Sequence, residues 1–78
     1  MTLIEWMLTT GTSQKALAER LQITEGAISH WVTGRKTMAA ERVLDVAAIT
    51  DFRVTPHELR PDLYPNVTDG LPVERQAA

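Results

Sequence analysis

The chain has 78 residues and a mass of 8.7 kDa; it is 44% hydrophobic and 23% charged, with a net charge of −2 and a pI near 5.5. That length holds one small domain, which buries only ~60% of the surface its unfolded chain exposes, so a partner subunit would add stability. The absence of cysteine excludes a disulfide framework and a thiolate metal site. No apolar run approaches the ~20 residues of a membrane helix and residues 1–5 lack a basic leader pattern, so a soluble cytoplasmic protein is expected.

In chain order, residues 2–10 carry Leu3, Met7 and Leu8, with Trp6 beside them, near helical spacing, and Gly11 stands where a helix ends. Ser13 is placed to cap a second helix with Leu17, Ala18 and Leu21 inward and Lys15, Glu19, Arg20 and Gln22 outward. Thr24 caps a third, beginning at Glu25, with Ile23 and Ile28 at the two positions of a hydrophobic staple. Gly34 ends that helix, and Arg35 and Lys36 follow as a basic loop. Thr37 is the expected cap of a fourth helix, whose apolar face reads Ala40, Val43, Leu44 and Ala47, extended by Ile49 as far as Thr50 and Asp51. Thr55-Pro56-His57-Glu58 is a capping box with proline at the first helical position, and Val54 and Leu59 form a second staple. Pro61 stops this short helix near Arg60. No stretch alternates like a strand. The expected fold is all-α, about five short helices over residues 1–64, with 65–78 as a flexible tail.

Charge is unevenly spread. Residues 11–37 hold Lys15, Arg20, Arg35 and Lys36 against Glu19 and Glu25, a local +2. Residues 38–64 hold Arg42, Arg53 and Arg60 against five acids, a local −2. An acidic molecule can thus carry a cationic contact surface. In the third helix Ile28, Trp31 and Val32 form an apolar stripe, with Trp31 expected in the core, while Glu25, Gly26, Ser29, His30 and Thr33 form the opposite stripe. Ala18 is small where the second and third helices must cross. A polar ridge held clear of its domain is the shape that enters a DNA major groove.

The run Ser13-Gln14-Lys15-Ala16-Leu17-Ala18-Glu19-Arg20-Leu21, followed by Ala27-Ile28-Ser29-His30-Trp31-Val32-Thr33-Gly34, resembles the helix-turn-helix of phage repressor and Cro-type proteins. Glu58-Leu59-Arg60-Pro61-Asp62-Leu63-Tyr64 narrows the resemblance to YdaS-like, Cro-like small regulators of phage and prophage origin. The resemblance covers residues 1 to about 64. It implies a lambda-repressor-like fold and a transcriptional regulator that binds operator DNA; a small acidic monomer would bind weakly, so a homodimer on a palindromic operator is expected. There are two departures. Gln22 stands at the turn where the family usually carries glycine, so either the turn is strained by ~1–2 kcal/mol or its geometry differs. Glu25 stands where the family commonly has glutamine; a carboxylate repels phosphate and cannot donate to a base, though it can accept from cytosine N4.

On this resemblance Gln14 and Lys15 would touch phosphates from the start of the second helix. Glu25 and Gly26 would face the groove, with Gly26 permitting close approach, Ser29 and His30 would reach base edges or phosphates, and Thr33, Arg35 and Lys36 would hold the backbone just past the helix end. Phe52, Leu63 and Tyr64 offer apolar area for a dimer contact. No small-molecule substrate, cofactor or metal is expected: His30 and His57 are the only histidines, and no nucleophile motif or glycine-rich phosphate loop is present. An enzyme is not expected. The competing expectation is a protein-interaction module, such as an antitoxin or anti-repressor, favoured by Glu25 and the net −2.

Overall fold

A computed structural model describes residues 1–73. Among them are five helices and no strand: α1 (Leu3–Thr10), α2 (Gln14–Leu21), α3 (Glu25–Thr33), α4 (Ala40–Ile49) and α5 (Pro56–Leu59). The all-α expectation holds. None of these helices is long and apolar enough to cross a membrane.

Local sequence explains most of the boundaries. Thr2, Ser13, Thr24 and Thr55 each sit in extended backbone and accept a backbone N–H of the first helical turn. Thr2 with Glu5, and Thr55 with Glu58, complete reciprocal capping boxes. The Thr2 N–H, and then its hydroxyl, hold the Glu5 carboxyl below its ordinary pKa. Gly11 and Gly34 close α1 and α3 in the left-handed region, at φ 70° and 77°.

The core gathers Leu3, Trp6 and Met7 of α1, Leu17, Ala18 and Leu21 of α2, Ile28 of α3, and Val43 and Val46 of α4, with Met38 and Val54 from the connections. α2 packs on α3, and α4 on α5. Four apolar assignments differ from expectation, one of them Ala40, which is exposed at the start of α4. Leu8 is 77% exposed, because Leu3, Trp6 and Met7 already form the inward stripe and Leu8 lies a further 100° round the helix. Leu44 is 47% exposed and Val46 is buried in its place. The inward row of α4 is Val43, Val46, Ala47 and Thr50, at i, i+3, i+4 and i+7; its last member is a threonine, which hid the register from an apolar count. Trp31 is half-buried against the core, while the buried indole is Trp6, 6% exposed.

Thr37 does not cap α4. Met38 inserts into the core, 4% exposed, and the helix starts only after it, with Ala39 at the cap position and no side-chain bond to the first turn. Thr50 is 1% exposed, and its hydroxyl donates to the Ala47 carbonyl at 2.8 Å and accepts the Val54 N–H at 3.1 Å.

The segment after α5 folds back on it. The His57 ring meets the Tyr64 carbonyl at 2.8 Å through Nδ1, and Tyr64 packs on the core. The Asn66 N–H donates to Asp69 Oδ2 at 3.0 Å, closing a turn. Gly70, at φ 77°, lies so close to Pro56 and Tyr64 that an added Cβ would stand 2.9 Å from each. These contacts involve the first residues of the expected tail; residues 74–78 of that tail lie outside the described residues.

Candidate nucleic-acid interface

α2, the turn after it and α3 place the candidate residues. Gln14 is the first residue of α2, half-buried, and Lys15 beside it is exposed. The turn bends at Gln22, which adopts φ 57° and ψ 45°. Of the two alternatives for this glycine-lacking turn, the left-handed one is realised, at a cost of ~1–2 kcal/mol. The Ile23 N–H reaches back to the Ala18 carbonyl at 3.0 Å and the Gln22 N–H to that of Glu19 at 3.3 Å, so the helix end is closed in spite of the side chain.

Ile28 anchors α3 with no exposed surface. The opposite side of α3 faces solvent: Glu25, Gly26 and Thr33 are exposed, and Ser29 and His30 half-buried. Gly26 has open space around it; an added Cβ would meet only Thr24 Oγ1, at 3.8 Å. The Thr33 hydroxyl donates to the Ser29 carbonyl at 2.7 Å. It can therefore accept a hydrogen bond freely, but must give up this one to donate to a phosphate.

Arg35 and Lys36 are exposed beyond Gly34. A groove of about 380 Å³ runs between α3 and the start of α4, lined by Gly26, Ala27, His30, Trp31, Lys36 and Arg42 among others. Its wall is part apolar, from Ala27 and Trp31, and part cationic. Arg42 was not among the expected site residues. It lies in the acidic half of the sequence, and only the fold brings it beside His30 and Lys36. Among the described residues the ion pairs are Met1 ammonium with Glu58 and Arg60 with Asp62, which leaves Lys15, Arg35, Lys36 and Arg42 without a carboxylate partner. No group of three or more potential metal ligands occurs among the described residues.

Of the expected residues, Gly26, His30 and Lys36 share the groove. Glu25, Ser29 and Thr33 share its helix, and Gln14 and Lys15 stand on the neighbouring one. Of the expected dimer residues, Leu63 is exposed, Phe52 is half-buried and Tyr64 is partly taken up by the core.

Residues 4–68 match the model of a family described as bacterial toxin YdaS. No curated protein and no solved structure matches the chain.

Proposed function

This chain belongs to the bacterial toxin YdaS family, and from that premise we propose that it is a sequence-specific DNA-binding regulator of Cro or repressor type. In this reading α3 enters the major groove, where Ser29 and His30 reach base edges and Gly26 allows close approach. Gln14, Lys15, Arg35, Lys36 and Arg42 hold phosphates and set the register. Glu25 selects by accepting from cytosine and by repelling misplaced phosphates. The supporting observation is the exposed polar side of α3, anchored from behind by Ile28 and flanked by cations that form no ion pair among the described residues. An acidic monomer of this size binds DNA weakly, so the active species is a homodimer on a palindrome with half-sites about 34 Å apart. The family description names a toxin; occupation of host promoter DNA is the route to toxicity that this surface offers.

Selection of bound fragments from random duplexes, followed by salt titration, tests the proposal. Affinity should fall linearly in log K against log salt, by about 0.9 per phosphate contacted. Lys36→Ala should weaken binding to all duplexes and flatten that slope, whereas Ser29→Ala should change the preferred sequence. A salt-independent response, or no bound fragment, would favour the protein-interaction alternative that Glu25 and the net −2 support. Sedimentation of a monomer both free and on DNA would remove the dimer.

A further inference from the structure

Residues 34–38 carry Arg35 and Lys36 across a gap. On one side lies the groove against α3; on the other is a second hollow of about 310 Å³, whose lining includes Leu3, Val32, Met38, Val54 and Leu59. Lys36 and Thr37 border both hollows, so little packing supports the middle of the segment. At its front, the Gly34 N–H donates to the Trp31 carbonyl and the Lys36 N–H to that of His30, both at 3.3 Å, long for such bonds. At its rear the Met38 side chain is buried, and its carbonyl accepts one side-chain bond from 22 residues away: Arg60 Nη1 donates to it at 2.7 Å. The rest of that guanidinium is held by Asp62, with Nε to Oδ1 at 2.9 Å and Nη2 to Oδ2 at 2.6 Å. The two-pronged grip fixes the plane of the guanidinium and aims its third nitrogen at Met38.

We propose that Arg60 is a positioning residue for DNA-backbone contact: gripped by Asp62, it fixes the Met38 carbonyl and so the loop that presents Arg35 and Lys36. This rests on the DNA-binding reading above. It gives the Arg-Pro-Asp sequence a task at a distance, since Pro61 keeps Arg60 out of the helix and Asp62 two residues on supplies the fork. A lysine carries the same charge but cannot make three directed bonds in one plane.

Asp62→Ala separates positioning from charge. Asp62 has a side chain 61% exposed, so its loss leaves the core intact. Removing an acid should tighten DNA binding if long-range charge alone matters; positioning requires the reverse, about a three- to ten-fold loss of affinity with a salt slope lower by about 0.9, one phosphate contact. Arg60→Lys should show the same loss. In the free protein, amide exchange at Lys36, whose N–H is bonded to the His30 carbonyl, should quicken in both variants while that of α2 stays unchanged, a measurement that also serves if a variant binds too weakly to titrate. Unchanged or tighter binding by Asp62→Ala, wild-type binding by Arg60→Lys, or unaltered exchange at Lys36 would overturn the inference while leaving the DNA-binding proposal standing. Failure of the wild-type protein to bind any duplex would instead remove that proposal, and this one with it.

Discussion

Among the described residues two bends hold ordinary side chains in the left-handed region, and they are supported differently. At the α2–α3 bend Gln22 sits at φ 57° with an exposed side chain, held by the hydrogen bonds of its own helix end. After α4, Asp51 and Phe52 adopt φ 56° and 59° in succession. That bend is tied by the Phe52 N–H to the Ala47 carbonyl at 2.8 Å, by the buried Thr50 hydroxyl, and by a half-buried ring. The same backbone strain, ~1–2 kcal/mol per residue, is thus offset by helix-end hydrogen bonds plus a buried side-chain network in one place, and by helix-end hydrogen bonds without such a network in the other. The less supported bend sets the angle between the two helices of the candidate interface.

The largest expected effect lies at the supported bend. Thr50→Val removes the hydroxyl and strands the buried Val54 N–H, which should cost about 2 kcal/mol in urea unfolding; a loss under about 0.5 kcal/mol would mean that the network does not hold the bend. Gln22→Gly should raise stability by about 1 kcal/mol, because it relieves strain with little packing to lose. Phe52→Gly should give no such gain, since its ring is half-buried, and an equal gain at both positions would erase the contrast drawn here.

Gly26→Ala sharpens the comparison from the interface side. Thr24 Oγ1, at 3.8 Å, is the one atom near an added methyl, so the fold should gain up to about 1 kcal/mol from better helix propensity. On the DNA-binding proposal, duplex affinity should fall at the same time, read by thermal melting and duplex titration side by side. The smallest effect concerns acid. The hydrogen bond from Arg60, more than any other influence, lowers the Asp62 carboxyl pKa to about 2. A group with a depressed folded pKa contributes stability that is complete above its ordinary value near 4 and is lost as pH falls toward 2. Melting temperature should therefore not vary with pH between 5 and 8 on account of this pair, and Asp62→Asn should lower it slightly there while blunting the decline below about pH 4.

The candidate interface was largely legible in the sequence because its signals are local. Ser13 and Thr24 cap within three residues of themselves, Gly34 marks an end, and Ile28 fixes which side of α3 is inside. Gln22 identified the bend but left its geometry open, since a side chain at a glycine position is compatible with strain or with another turn. The remainder was hidden wherever a distant residue decides. Thr37 looks like a cap until Met38 claims the core, and Leu44 looks buried until Thr50 supplies a polar member of the inward row. Arg42 and Arg60 owe their places to neighbours that periodicity cannot register.

The cations around the groove belong to a molecule of net charge −2, and on the DNA-binding proposal this shapes how a target is found. Beyond a Debye length of ~8 Å the polyanion is largely screened; nearer, it repels the molecule as a whole while turning its cationic side inward. Encounters in any other orientation are cast off. Such a protein should lodge poorly on arbitrary sequence and scan by brief hops instead of long slides, its discrimination resting as much on what it refuses to hold as on what it grips.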